Sequence, residues 1–159
     1  MGYQVGRFAI YSSSYMKNEL NINGYFEKLR SSVDVNENIL GNTHYWYAFP
    51  DAQYYGGNFY LNRVISVLKE LKPAEEYEND HDRAKALLKV FEKRNIKYII
   101  SDEYLRPSIV SYFPNNEYPP NNFLLVNSFT DKFIGKGKYS KNSPYTTEIY
   151  KIISYDPWW

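Results

Sequence analysis

The stretch from Asn38 to Tyr60 constrains the fold more than any other part of the chain, because it joins an apolar segment to a helical pattern. Its first residues include Ile39 and Leu40 and favour a short buried strand. Aromatic residues, a histidine, an aspartate and a Gly-Gly pair follow, and an amphipathic pattern then begins at Phe59. Open α/β folds place binding sites in loops of this kind. The stretch therefore predicts an α/β sheet with a candidate site at its edge.

Short apolar segments alternate with helical patterns along the rest of the chain. The predicted elements are a helix around Tyr25–Val33, a strand at Ile39–Leu40, helices at Phe59–Leu71, Asp80–Arg94 and Leu105–Phe113, a strand at Lys97–Ser101, and strands at Phe123–Asn127, Asp131–Gly135 and Thr146–Tyr155. Asp80 is expected to cap its helix and Asn95 to end it. Gly135 and Gly137 predict a turn between the last two strands.

This order of elements predicts an α/β fold. We expect a three-layer or two-layer sandwich with a mixed, mainly parallel sheet and a C-terminal β-hairpin. A length of 159 residues suits a single domain over residues 1–159, in which 1–20 form a linker or an edge element. The alternative is that this domain is excised from a larger membrane protein.

Composition excludes several classes of function. The net charge of +1 gives no electrostatic attraction to nucleic acid. The absence of cysteine excludes disulfides, thiol catalysis and cysteine-based zinc sites. Since no apolar run reaches 18 residues, the chain itself is not predicted to span a bilayer. The 18 tyrosines suit half-buried surfaces, but heavy use of Tyr, Ile and Lys is also typical of thermophilic proteins, which is the interpretation we favour.

Polar residues follow two predicted strands. Asn42 and His44 come after the first, and Asp102 and Glu103 come after the strand that ends at Ser101. If these strands are parallel neighbours, their ends share one edge of the sheet, and a histidine facing carboxylates could act as a general base or a metal ligand. A lone histidine in an aromatic loop is more often a packed, hydrogen-bonded residue.

Two further motifs predict ordinary structure instead of chemistry. In Asp80-His81-Asp82, adjacent residues at a helix start point in different directions, so they seldom share one metal. Gly56-Gly57-Asn58 lacks the lysine and hydroxyl residue of a phosphate loop, so a plain turn and helix cap is expected there. We therefore expect neither a cofactor nor a metal, and no catalytic residue is assigned.

The aromatic loop is the stronger candidate for binding. Several large rings in one short loop are expected to exceed what a small domain can bury, and exposed rings often mark contact sites. The candidate binding residues are His44, Tyr45, Trp46, Asp51, Tyr54, Tyr55 and Asp102. Trp158 and Trp159 suggest a tail that packs on a partner, an interface belt or a domain boundary.

Several segments resemble the external C-terminal region of polytopic archaeal glycosyltransferase-like membrane proteins. They are Asn38-Ile39-Leu40-Gly41 followed by His44-Tyr45-Trp46-Tyr47, Tyr55-Gly56-Gly57-Asn58-Phe59-Tyr60-Leu61, Leu87-Leu88 leading to Asn95-Ile96-Lys97-Tyr98-Ile99-Ile100, and Glu148-Ile149-Tyr150-Lys151-Ile152. In such proteins the catalytic acid and the lipid-phosphate donor site belong to the membrane part. The resemblance therefore implies a non-catalytic accessory or acceptor-binding domain on the external face of the cell membrane. In such a domain His44 and Asp51 would supply hydrogen bonds to sugar hydroxyls or to neighbouring backbone.

Three hypotheses for function remain open from the sequence. The first is this accessory domain, whose partner would be the membrane-embedded part of the same protein or a carbohydrate acceptor. The second is a free-standing small α/β binding or structural protein from a thermophile, which would be cytoplasmic. The third is a small enzyme that uses His44 and Asp102.

Overall fold

A five-stranded mixed sheet forms the centre of the protein. The computed structural model describes residues 22–57, 67–103, 105–131 and 145–159. The strands are β1 (Asn38–Asn42), β2 (Tyr54–Gly57), β3 (Ile96–Ser101), β4 (Phe123–Asp131) and β5 (Tyr145–Ile152), in the spatial order β2-β1-β3-β5-β4. The first three are parallel, whereas β5 is antiparallel to both β3 and β4. Four strands therefore run in one direction, which confirms the predicted α/β fold with a mixed sheet.

Helices cover both faces of this sheet. They are α1 (Ile22–Ser31), α2 (Asp80–Lys93) and α3 (Leu105–Val110), with short 3₁₀ helices at Thr43–Ala48, Leu68–Glu70, Ala74–Glu76 and Pro114–Asn116. Most of the predicted helix Phe59–Leu71 lies outside the described residues, and its last part is the 3₁₀ turn at Leu68. None of the helices within the described ranges is long and apolar enough to cross a membrane.

Strand alternation divides the core into two layers. On one face, Ile99 contacts a cluster that includes Leu68, Leu87, Leu88 and Phe91, as their helical spacing predicts. On the other face, Tyr98 and Ile100 contact a cluster built from α1 and the aromatic loop. Its buried members are Tyr25, Leu29, Ile39, Tyr45, Ala48, Phe49, Tyr98, Ile100 and Ile149. The sheet thus lies between two layers, as in the three-layer form of the predicted sandwich.

The start of α2 differs from its prediction by one residue. Asn79, not Asp80, is the cap, because its side-chain oxygen accepts a hydrogen bond from the backbone N–H of Asp82 at 2.8 Å. Asp80 begins the helix and forms an ion pair with Arg83. The end of α2 follows the prediction, since Asn95 adopts the left-handed conformation with φ of 48°.

The C-terminal strands also differ in extent. The predicted strand Phe123–Asn127 extends to Asp131 as β4, with a register shift between Leu125 and Asn127. All but the first residue of the predicted strand Asp131–Gly135 lies outside the described residues. The predicted turn at Gly135 and Gly137 lies outside the described residues. Helix α3 ends at Val110, three residues before its predicted end, because the chain turns there.

The last two residues pack against the domain itself. Trp158 makes an edge-to-face contact with Phe113, with ring centroids 5.2 Å apart. Trp159 makes a similar contact with His81 at 4.8 Å, although 41% of its surface stays exposed. His81 is therefore a packing residue at the start of α2.

Leu88→Ala should lower the free energy of unfolding by about 2–5 kcal/mol, because it leaves a cavity beneath α2. The neighbouring Lys89→Ala variant is a matched control, since Lys89 lies on the exposed face of the same helix. Chemical denaturation of both variants measures the difference. Equal midpoints for the two would show that Leu88 does not belong to the core.

Candidate functional site

The carboxyl ends of β1 and β3 meet at one edge of the sheet, as their parallel arrangement predicts. Asn42 ends β1, and Asp102 follows the last residue of β3. The side-chain amide of Asn42 donates a hydrogen bond to Asp102 Oδ2 at 2.5 Å. Both side chains are buried. From the sequence, this proximity depended on β1 and β3 being parallel neighbours, and the structure shows that they are.

Asp102 connects more than these two strands. The Tyr45 hydroxyl donates to Asp102 Oδ2 at 2.9 Å, and the backbone N–H of Leu105 donates to Oδ1 at 2.8 Å. Both carboxyl oxygens therefore accept hydrogen bonds inside the core, and one of these bonds holds the start of α3. A carboxyl group bonded in this way stabilises local geometry and is shielded from solvent.

Tyr45 extends this connection across the same face of the sheet to β5 and α1. Its ring is fully buried, and its hydroxyl lies 3.3 Å from the hydroxyl of Thr147 on β5. Thr147 in turn lies 2.8 Å from the hydroxyl of Tyr25 on α1. We call Asp102, Asn42, Tyr45, Thr147 and Tyr25 the buried network. It joins the ends of β1 and β3 to β5 and α1, so Tyr45 is a core residue and not part of an exposed surface.

Tyr54 occupies a position that requires a glycine on the neighbouring strand. Its hydroxyl donates to the backbone carbonyl of Asn42 at 2.6 Å, and its ring crosses over Gly41. A Cβ atom at position 41 would lie 3.2 Å from the Tyr54 ring carbon Cζ and closer still to its oxygen. Although part of Tyr54 reaches the surface, its hydroxyl end is buried. This burial raises the pKa of Tyr54 well above its usual value, and Asp102 adds to the increase.

Gly56 and Gly57 belong to strand β2, so the predicted turn at these residues is wrong. Both pair in parallel with β1, with Gly56 opposite Gly41 and Gly57 opposite Asn42. Pairing with an existing strand overrides the general preference of glycine for turns. Asn58 lies outside the described residues.

Two aromatic side chains of the loop are exposed. The 3₁₀ helix at Thr43–Ala48 turns Tyr45 and Ala48 inward, so Trp46 and Tyr47 point outward with 48% and 67% of their surfaces exposed. Their ring centroids lie 5.4 Å apart in an edge-to-face arrangement. We call these two rings the Trp46–Tyr47 pair.

The remaining candidate residues surround this loop. Asp51 is exposed in the turn that follows it, and Tyr55 on β2 is partly buried. The side chain of His44 lies outside the described part of the chain.

The loop is anchored from α1, where Arg30 Nε donates to the carbonyl of Ala48. In the described ranges, no three His, Cys, Asp or Glu residues are grouped so that they could hold a metal ion.

A second polar group lies at the same edge of the sheet and was not predicted from the sequence. Ser101, Arg106, Tyr118 and Glu148 lie on the opposite face from Tyr45. Each comes from a separate segment and none belongs to a recognisable motif, so their proximity has no sequence signal.

No family model matches the chain, and neither a curated protein nor a solved structure matches it significantly. The function of the site is therefore inferred from the chemistry and geometry of its own residues.

Tyr45→Phe should lower the free energy of unfolding by about 1–3 kcal/mol, because it removes a buried hydroxyl that hydrogen-bonds to both Asp102 and Thr147. Tyr47→Phe removes the same hydroxyl from an exposed position and serves as the control. Denaturant titration compares the two. A Tyr45→Phe variant as stable as Tyr47→Phe would mean that the buried network contributes nothing to stability.

Stability should fall as the pH rises above about 10, the usual pKa of tyrosine. Burial raises the pKa values of Tyr54, Tyr118 and Tyr150 in the folded protein. These groups ionise more readily when the chain is unfolded. Their contribution to the free energy of unfolding is therefore complete below about pH 10 and is lost as the pH rises above that value. The unfolding midpoint should be constant from about pH 8 to 9.5 and then decline. In Tyr54→Phe the decline should be shallower; an identical decline would contradict a raised pKa for Tyr54.

Proposed function

We propose that this chain is a non-catalytic, carbohydrate-binding accessory domain of a membrane glycosyltransferase-like protein. In this proposal the Trp46–Tyr47 pair contacts the sugar acceptor on the external face of the membrane. The observation that carries the proposal is the contrast between two parts of one loop. The polar centre beside Asp102 is closed within the core, whereas the two rings next to it are exposed.

The state of Asp102 supports binding over catalysis. A reaction that used this carboxyl group would require substrate to reach the interior of the sheet edge. Asn42, Tyr45 and the N–H of Leu105 already occupy both of its oxygens. A small enzyme that uses His44 and Asp102 would need to open this set of contacts, which the fold depends on.

The exposed rings have the chemistry that a sugar requires. Sugar rings carry an apolar C–H face and a hydroxyl edge, so they pack on aromatic rings while polar groups satisfy their hydroxyls. The Trp46–Tyr47 pair offers such a surface, and Tyr47, which carries a hydroxyl, is the more exposed of the two residues. Asp51, which is exposed five residues after Trp46, could accept hydrogen bonds from sugar hydroxyls.

The rings lie on a rigid support. Tyr45 and Ala48 are fully buried on either side of the pair, and Arg30 fixes the Ala48 carbonyl from α1. A binding surface held in this way loses little conformational entropy when a ligand binds. The buried network thus supports the surface without taking part in it.

Trp46→Ala should weaken binding of an oligosaccharide about tenfold or more, the loss expected from removing an aromatic contact of roughly 1.4 kcal/mol. A glycan array selects the oligosaccharide, and isothermal titration calorimetry measures its affinity for each variant. Trp159→Ala is a matched control, because Trp159 is exposed to a similar degree away from the loop. Equal losses in both variants, or no binding of any glycan, would contradict the proposal.

A further inference from the structure

Three buried polar atoms near the end of β3 have no hydrogen-bond partner within the described part of the chain. They are Ser101 Oγ, Arg106 Nε and the Tyr118 hydroxyl, and Ser101 is fully buried. Buried polar atoms in proteins are nearly always paired, because an unpaired one costs free energy of folding. Three such atoms from three separate segments therefore call for an explanation.

These atoms are brought together by strand pairing and by α3. Ser101 is the last residue of β3 and pairs with Glu148 on β5. Glu148 forms an ion pair with Arg106 on α3, and the Arg106 guanidinium lies 5.9 Å from the centre of the Tyr118 ring. The Tyr150 ring packs against Tyr118 at 5.5 Å. The group lies at the carboxyl end of a parallel strand, where α/β folds bind ligands.

The group is separate from the aromatic loop. Side chains alternate along β3, so Ser101 lies on the same face as Ile99 and the α2 layer. Tyr45 and the rest of the aromatic loop pack on the face of Ile100. Occupation of one site therefore does not require the other.

The charges of the group favour an uncharged ligand. Glu148 already neutralises Arg106 and also accepts a hydrogen bond from the Tyr150 hydroxyl at 3.0 Å. Burial raises the pKa values of Tyr118 and Tyr150, so both remain neutral hydroxyls at physiological pH. The nearby Ser101 hydroxyl opposes this increase at Tyr118, yet the two hydroxyls do not reach hydrogen-bond geometry.

The unpartnered atoms also define the hydrogen bonds that a ligand must make. Arg106 Nε can only donate, whereas the hydroxyls of Ser101 and Tyr118 can donate and accept. A ligand hydroxyl can accept from Arg106 Nε and donate to a neighbouring oxygen, and adjacent hydroxyls can repeat this pattern. The outer end of the group reaches solvent, since the side chains of Arg106 and Glu148 are 39% and 22% exposed.

We propose that Ser101, Arg106 and Tyr118 form a second binding site, which accepts a neutral ligand with several adjacent hydroxyl groups, a monosaccharide or a related polyol. This inference is independent of the Trp46–Tyr47 pair and does not rest on the proposed function. The ligand would complete the hydrogen bonds of all three atoms. An anion is disfavoured because Arg106 offers it no net positive charge.

The test is an NMR titration of the full chain with D-glucose, D-mannose, D-galactose and glycerol, and separately with inorganic phosphate. We expect saturable shifts of the Ser101, Arg106 and Glu148 amides with at least one neutral compound and none with phosphate. Ser101→Ala should weaken this binding at least tenfold. Ser108→Ala, the same substitution at a position on α3 outside this group, should leave it unchanged.

A stability measurement separates a binding role from a structural one. Ser101→Ala removes a buried hydroxyl without a partner, so its unfolding midpoint should equal or exceed that of the unsubstituted protein while binding is lost. Tyr118→Phe should behave in the same way, and it decides the question if Ser101→Ala fails to fold.

Several results would overturn the second site. One is the absence of saturable shifts with every neutral compound, and another is preferential binding of phosphate. Unchanged binding in both Ser101→Ala and Tyr118→Phe would also overturn it. So would a crystal structure grown with the sugar in which only an ordered water bridges the three atoms. Loss of these shifts in Trp46→Ala would contradict the inference that the two sites are separate. Retention of the shifts in Trp46→Ala would support the second site, whether or not the Trp46–Tyr47 pair binds an oligosaccharide.

Discussion

The buried carboxyl group of Asp102 is the interaction on which the arrangement of this domain depends. It follows the central strand β3 and accepts hydrogen bonds from the end of β1, from the aromatic loop and from the start of α3. A buried acceptor of this kind is stable only when its partners are fixed, and removal of one partner is costly. Three connections that are distant in sequence are thereby held at one point.

This constraint also determines which aromatic rings are exposed. Because Asp102 and Thr147 hold the Tyr45 hydroxyl inside the core, the short 3₁₀ helix must direct Trp46 and Tyr47 outward. Glycine at position 41 has a related role, since it leaves room for Tyr54 to cross β1 and reach the carbonyl of Asn42. The exposed surface is thus a consequence of the polar contacts beneath it.

The strongest sequence patterns predicted the fold correctly. Apolar segments around Ile39 and Ile99 predicted two strands, whose parallel pairing the structure shows, and helical spacing identified the buried face of α2. The proximity of Asn42 and Asp102 followed from one topological rule about strand ends. The strands and helices depend on local periodicity, which can be read from a single sequence.

Other features depend on tertiary contacts and could not be predicted in this way. Gly56 and Gly57 have the composition of a turn, but pairing with β1 makes them a strand. The burial of Tyr45 depends on a hydroxyl partner from β5, and nothing near it in the sequence distinguishes it from Trp46. The group around Ser101 combines single residues from β3, α3, β5 and a loop, so only the folded chain brings it together.

A double-mutant cycle between Asn42 and Asp102 tests the central role of the carboxyl group most directly. The free energy of unfolding is measured for Asn42→Ala, Asp102→Ala and the double variant, with Glu103→Ala as the exposed control beside Asp102. We predict a favourable coupling of about 1–3 kcal/mol between Asn42 and Asp102, as expected for residues in one buried hydrogen-bond network. Additive effects of the two substitutions, with no measurable coupling, would contradict the account.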